Sequence, residues 1–241
     1  MIYLYRVYQV LVMIPLVVVF TIITALVTAV GSLLGGGRWW GYYPAKIWAK
    51  LFCWLTFVSV KVKGRENIEK TTSYVFISNH QGAYDIFAIY AFLGHNFKWM
   101  MKKSLEKIPF VGYACKKAGQ VFVDSSSPAA IRATMKEAKA RLQGGMSIVV
   151  FPEGTRSKNG KMRSFKRGAY QLSSEFKLPL VPITIDGAYD ILPKNARLPR
   201  WGHITMTIHK PVACPETNED IQAVMDETFL TIQSALPEKN R

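Results

Sequence analysis

His80 and Asp85 stand five residues apart in the stretch Asn79-His80-Gln81-Gly82-Ala83-Tyr84-Asp85, where an apolar strand expected over residues 73–78 gives way to a helix. Histidine is the side chain whose ordinary pKa, about 6.5, lies near neutrality. A carboxylate on one ring nitrogen fixes the tautomer and leaves the other nitrogen free to accept a proton, so the pair can make a general base. The same residues also fit a plainer arrangement, a helix-capping histidine and a solvated first-turn aspartate stabilised by the helix dipole.

A second group, Phe151-Pro152-Glu153-Gly154-Thr155-Arg156-Ser157, follows another apolar strand and packs a carboxylate, a glycine, a hydroxyl and a guanidinium into one turn. Such a turn suits an anion. Gly154 lets backbone N–H groups approach a ligand, and Arg156 offers a planar fork for bidentate contact with phosphate. A turn in which Glu153 and Arg156 simply pair with each other fits the same residues.

Taken together, the two groups resemble the 1-acyl-glycerol-3-phosphate acyltransferases of phospholipid synthesis, with their His-x4-Asp pair followed by a Phe-Pro-Glu-Gly-Thr-Arg block. Intermediate blocks match as well: Lys102-Lys103-Ser104-Leu105 running into Ile108-Pro109-Phe110-Val111-Gly112, then Gly119-Gln120-Val121-Phe122-Val123-Asp124, and later Val181-Pro182-Ile183. The likeness covers residues 62–211. It departs at Ser125, where the family usually carries Arg, so a phosphate contact at that position is not expected.

The chain has 241 residues, enough for one catalytic domain and an appendage, divided here at residues 1–57 and 58–241. No charged residue lies between Arg6 and Arg38, and residues 10–34 are dense in Val, Ile, Leu and Thr, beyond the ~20 that cross a bilayer as a helix. A cleavable signal would have a shorter apolar core and a small-residue cleavage site. Gly35-Gly36-Gly37 then breaks the helix, and Trp39, Trp40, Tyr42 and Tyr43 form an aromatic cluster suited to headgroup level. Residues 44–58 read as an amphipathic helix, with Lys46 and Lys50 on one side and Ile47, Leu51, Trp54 and Leu55 on another; an ordinary helix packed on the domain is the alternative. Arg6 and Arg38 flank the apolar run on both sides, so charge does not choose an orientation. The resemblance implies a two-helix membrane anchor, inserted in one leaflet, with the catalytic domain at the cytoplasmic face of the inner membrane.

A net charge of +15 calls for an acidic partner, and with a membrane segment and no nucleic-acid-binding motif that partner is anionic phospholipid rather than nucleic acid. Cys53, Cys115 and Cys214 are few, odd in number and widely separated, which argues for reduced thiols, with neither a disulfide framework nor zinc spacing.

From Val58 onward, β-rich runs alternate with helical patterns, as in an α/β domain with a mixed, largely parallel sheet flanked by helices, the fold the resemblance also implies. Strands are expected over 58–62, 73–78, 98–101, 120–123, 147–151, 180–185 and 204–209. Helices are expected from Pro128 to Gln143, ended by Gly144-Gly145, from Phe165 to Phe176, and from Glu219 to Leu236. The basic stretch 157–167 reads equally as a mobile flap beside the site and as a solvated charged loop.

The implied chemistry is transfer of a fatty acyl group from a thioester to the sn-2 hydroxyl of lysophosphatidic acid, giving phosphatidic acid. The alternative acceptors are glycerol 3-phosphate and another lysophospholipid. His80 would be the base oriented by Asp85, and Lys102, Glu153, Gly154, Thr155 and Arg156 would form the substrate site. Lys102 and Arg156 are the expected phosphate ligands; Glu153 would hold Arg156 in place or accept a hydrogen bond from substrate. No Gly-x-Ser-x-Gly elbow is present, so no acyl-enzyme is expected. The co-substrate would be acyl-coenzyme A or acyl-acyl carrier protein, with no other cofactor and no metal.

Overall fold

A computed structural model of the chain describes residues 2–124, 126–142 and 146–240. Ser125 and the Gly144-Gly145 helix end expected from the sequence lie outside the described residues.

The apolar N-terminus forms α1 (Ile2–Tyr8) and α2 (Ile14–Gly31), joined by a π-helical turn at Gln9–Met13. A second such turn, Ser32–Gly36, leads into the short α3 (Gly37–Trp40). The kink falls at Gly35, whose φ of +102° is open to glycine but not to branched residues. Gly31 and Gly36 have a different task. A Cβ at either would stand 2.3 Å or 2.4 Å from the Trp40 indole, so the glycines form a notch in which the ring lies back against α2.

The next helix, α4 (Tyr43–Leu55), returns antiparallel to the first. Trp48 Nε1 donates to Thr21 Oγ1 at 2.9 Å, and the Tyr5 and Tyr8 hydroxyls donate to the carbonyls of Thr56 and Leu55, each at 3.0 Å. The result is a two-helix hairpin whose outer surface carries Leu11, Val18, Val19, Ile23, Leu26, Val30 and Leu34, all exposed. Two sequence expectations change here. The aromatic cluster divides, because Tyr42 is buried against Tyr90 and Phe97 while Trp39 and Tyr43 stay exposed. The supposed membrane stripe of α4 also divides: Ile47 and Trp54 face outward, but Leu55 is buried. Both differences have one cause, since α4 packs on α5 and the sheet as well as on α2.

The rest of the chain runs β1 (Val58–Lys63), β2 (Val75–Ser78), α5 (Tyr84–Phe92), β3 (Phe97–Lys102), α6 (Val111–Lys117), β4 (Val121–Val123) and α7 (Pro128–Leu142). It continues with β5 (Ser147–Val150), α8 (Gly168–Phe176), β6 (Leu180–Asp186), α9 (Ala188–Ile191), β7 (Gly202–Ile208) and α10 (Asp220–Ser234). The seven strands form one sheet in the order β1-β7-β6-β2-β5-β3-β4. Strands β6, β2, β5, β3 and β4 are mutually parallel, and β7 pairs antiparallel to β6 and parallel to β1. The sheet is therefore mixed and largely parallel, as expected.

Central strands β2 and β5 are buried at every residue, which is why they read as unbroken apolar runs rather than as alternation. Phe76 and Val149 face the layer built by α4 and α5, while Val75, Ile77 and Ile148 face α8 and α10 with Tyr170, Leu172 and Ile221. Helix α8 starts at Gly168, three residues later than expected, because Phe165 is drawn into the core against Phe229 and the Lys166 N–H is used by the Pro152 carbonyl at 2.9 Å.

Just beyond β2, the buried Asn79 side chain completes the sheet. Its Nδ2 donates to the Ile185 carbonyl and its Oδ1 accepts from the Ile185 N–H, both at 2.8 Å, so an amide imitates a strand residue where β2 stops. Removing it strands two buried backbone groups, each costing about 1–3 kcal/mol. Asn79→Ala is expected to lower unfolding free energy by about 2–4 kcal/mol in denaturant titration; a loss below ~0.5 kcal/mol would show that the bridge does not hold β2 to β6.

Candidate active site

In an open parallel sheet, ligands bind beyond the carboxyl ends of the strands, where backbone leaves the ladder and side chains can converge. Both sequence motifs lie there, on neighbouring strands. His80 follows β2, and Phe151 to Arg156 follow β5.

His80 Nδ1 lies 2.7 Å from Asp85 Oδ2, in the first turn of α5. The same oxygen accepts the Gly82 N–H at 2.9 Å, and Asp85 is wholly buried. Asp85 is thus not the solvated first-turn acid of the plainer reading. A carboxylate at this distance favours the tautomer with its proton on Nδ1, and Nε2 makes no hydrogen bond with any described residue. The imidazole lies flat on Phe151, with centroids 3.9 Å apart and planes at 8°. Phe151 in turn stacks on buried Trp99 at 5.4 Å. This three-ring stack fixes the ring plane, and with 12% of its side chain exposed, His80 still reaches solvent.

Glu153 holds the same histidine by its main chain. Its Oε1 accepts the His80 N–H at 2.7 Å and its Oε2 accepts the Arg163 N–H at 3.1 Å. A further main-chain bond, Ser157 N–H to the His80 carbonyl at 2.8 Å, closes the brace between the two motifs. The expected Glu153–Arg156 pairing is therefore absent: both carboxylate oxygens serve backbone donors, and Arg156 makes no hydrogen bond or ion pair with the described residues. That leaves its guanidinium without a protein partner among the described residues, in the turn that follows β5.

Residues 157–167 are a pinned loop. Gln81 Nε2 donates to the Gly160 carbonyl at 2.9 Å, Ser157 Oγ to the Lys161 carbonyl at 2.8 Å, and Tyr189 Oη to the Lys158 carbonyl at 3.1 Å. A freely moving flap would not carry these bonds. The exposed lysines and arginines of the loop fit the solvated reading instead, with backbone and small polar groups as its anchors.

Two basic groups that sequence reasoning did not single out approach the turn. Lys194 Nζ lies 3.3 Å from Thr155 Oγ1, and the Lys166 ammonium sits over Gly154, 3.0 Å from where a Cβ would stand. Gly154 has φ +71°, so the turn itself demands glycine. Lys194 is 39 residues from Thr155 with no spacing to betray it; Lys166 was visible only as one charge among several. Lys102 ends β3, the strand beside β5, at the same edge of the sheet, and is exposed with no side-chain hydrogen bond or ion pair to the described residues. The structure thus joins His80, Asp85 and Glu153 directly, places Gly154, Thr155 and Arg156 in the adjoining turn, and leaves Lys102 on the rim.

Burial pushes the Glu153 carboxyl up to about 7, against the pull of the His80 and Arg163 N–H groups, which favour the ionised form. A carboxyl whose folded pKa stands above its ordinary 4.5 contributes stability that is fully present below pH 4.5 and lost as pH rises through about 7. Glu153→Gln removes the titration. Melting temperatures measured from pH 4.5 to about 7 should show wild type losing stability relative to the variant; the opposite trend would mean that the two N–H donors outweigh burial.

The acyltransferase family model matches residues 59–186, which include both motifs. The chain is 33% identical over 194 residues to the chloroplastic 1-acyl-sn-glycerol-3-phosphate acyltransferase LPAT1 of Arabidopsis thaliana, covering 77% of this chain and 54% of that protein. It is 30% identical over 174 residues to the 1-acyl-sn-glycerol-3-phosphate acyltransferase of Helicobacter pylori, covering 68% of this chain and 73% of that protein. Against the chloroplastic relative it thus spans 54% of the length, about half. Its fold matches the crystal structure of the 1-acyl-sn-glycerophosphate acyltransferase PlsC from Thermotoga maritima with a TM-score of 0.72 at 26% identity, over 95% of this chain and 97% of that one. On these grounds the chain belongs to the 1-acyl-sn-glycerol-3-phosphate acyltransferase family.

Proposed function

We propose that this protein transfers a fatty acyl group from a thioester to the sn-2 hydroxyl of lysophosphatidic acid, making phosphatidic acid. The observation that carries the reading is an imidazole with its Nδ1 held by a buried carboxylate and its Nε2 free, beside a turn whose arginine has no partner among the described residues. The names of the relatives agree with it.

In the proposed step, His80 Nε2 takes the proton of the acceptor hydroxyl as that oxygen attacks the thioester carbonyl. The tetrahedral intermediate collapses, the C–S bond breaks, and the departing sulfur takes the proton back from the imidazolium. Asp85 holds the ring in the required tautomer and stabilises its transient positive charge. Glu153 touches neither substrate nor the reacting atoms; it positions His80 through the main chain. The acceptor phosphate is assigned to the Arg156 fork, with Lys102, Lys166 and Lys194 adding positive potential around it. Gly154 and Thr155 shape the turn, and backbone N–H groups near it would serve the oxyanion.

The N-terminal hairpin is proposed to lie in one leaflet at the cytoplasmic face. Residues 2–40 form a kinked helix long and apolar enough to cross a bilayer. Yet Arg6 and Gln9 are tied to the Pro199 carbonyl at one end, and α2 packs on α6 farther along, so the helix runs along the domain instead of leaving it. Its exposed apolar side and the excess positive charge of the chain support a body resting on an anionic surface. The donor is proposed to be coenzyme A or acyl carrier protein thioester, both of them acidic.

With purified protein, acyl thioester and lysophosphatidic acid, His80→Ala is expected to lower kcat by about 10²–10⁴-fold while the variant still folds and binds membranes. An active variant would remove His80 as the base. Arg156→Ala should raise KM for lysophosphatidic acid about 10- to 100-fold; an effect confined to kcat would end the phosphate assignment. Glycerol 3-phosphate and a choline lysophospholipid, run alongside, should be poorer acceptors.

A further inference from the structure

A cavity of about 510 Å³ lies between the start of the hairpin and the segment joining α9 to β7, lined by Arg6, Tyr189, Asp190, Arg197 and Arg200 among others. None of His80, Asp85, Lys102, Glu153 or Arg156 borders it. Its charge balance is lopsided. Three guanidiniums face one carboxylate, and that carboxylate, Asp190, is already met by Lys239 at 3.1 Å. Arg197 and Arg200 are exposed and make no side-chain hydrogen bond or ion pair with the described residues. Arg6 is engaged only with neutral oxygens, Gln9 Oε1 at 2.6 Å and the Pro199 carbonyl at 3.1 Å.

The floor is built rather than incidental. Gln9, fully buried, donates to the same Pro199 carbonyl at 2.8 Å, and the Arg200 N–H donates to the Ile191 carbonyl at 2.9 Å. These bonds fix the strap that carries both free arginines against the first turns of the anchor. Next to Arg200 in the chain, exposed Trp201 meets the Tyr5 ring edge-on at 4.8 Å, and exposed Phe57 lies 6.1 Å from the same ring. Arg6 is also the last charge before the uncharged apolar run. Exposed aromatics and a cation at the end of an apolar helix are what a protein presents at headgroup level. Guanidinium forks at that depth match a phosphate bearing negative charge.

We propose that this cavity is a second phosphate site, separate from the catalytic mouth, which seats the phosphodiester headgroup of an anionic phospholipid of the membrane. The bound headgroup fixes how the hairpin and the catalytic domain meet the lipid surface. The inference rests on the hairpin lying at the membrane surface, and not on the acyl-transfer reading.

The test uses the full chain in a neutral detergent, with binding of dioctanoyl phosphatidylglycerol followed by titration calorimetry. Dioctanoyl phosphatidylcholine and free glycerol phosphate are the parallel arms. Saturable binding of phosphatidylglycerol is expected, weakened about tenfold or more in Arg197→Gln/Arg200→Gln and abolished in Arg197→Glu/Arg200→Glu, with melting temperatures unchanged. Arg156→Ala should leave it intact. Equal binding of phosphatidylcholine, or no loss in the arginine variants, overturns the site. Equally tight glycerol phosphate binding overturns the lipid source, and loss in Arg156→Ala returns the binding to the catalytic mouth. Because binding is read without turnover, an inactive enzyme that still binds through Arg197 and Arg200 would refute only the catalytic reading.

Discussion

Two buried carboxylates grip one histidine from different sides, Asp85 by the ring and Glu153 by the main chain, and the arrangement of the sheet follows from keeping them there. A buried carboxylate is tolerated only where hydrogen-bond donors meet it. Each of these finds donors close by: Gly82 and the His80 ring for Asp85 Oδ2, whose Oδ1 is buried without a hydrogen-bond partner, and the main chain of His80 and Arg163 for the two oxygens of Glu153. The reach works because β2 and β5 are adjacent and parallel, so the chain leaves both strands at the same edge. An antiparallel pair would send the two motifs to opposite ends.

The ring stack completes the constraint. His80 is pressed on Phe151, which comes from the same motif as Glu153, and Phe151 is backed by Trp99 from β3. Three adjacent strands therefore fix the base: β2 carries it, β5 clamps its backbone and covers its ring, and β3 supports the cover. By contrast, the arginine in the turn is held by no side-chain bond to the described residues, which is the state expected of a group that waits for an anion.

The strand sequence of the domain was legible because its central strands are continuous apolar runs ended by polar turns, and the motifs marked where those runs stop. What each motif residue does was less legible. Glu153 and Arg156, three apart and opposite in charge, invite pairing on paper; the folded turn sends Glu153 inward to main-chain N–H groups that no side-chain pattern advertises. Asn79 bridges to Ile185, and Lys194 reaches Thr155, across distances in sequence that carry no periodic signal. In the same way, the charges of residues 157–167 do not choose between a mobile flap and a solvated loop, because the bonds that pin them run mostly through carbonyls. Tyr42 and Leu55 mislead for the opposite reason: apolar residues near a membrane helix serve protein packing as readily as lipid contact.

The central claim is that Asp85 fixes the proton of His80 on Nδ1 and leaves Nε2 bare. Nitrogen NMR of histidine-labelled protein in detergent, with the His80 signals assigned by their loss in His80→Gln, reads this directly for the neutral ring. The account predicts a protonated Nδ1 and an unprotonated Nε2, a pattern that weakens or inverts in Asp85→Asn. A neutral ring protonated on Nε2 in the wild type would contradict it.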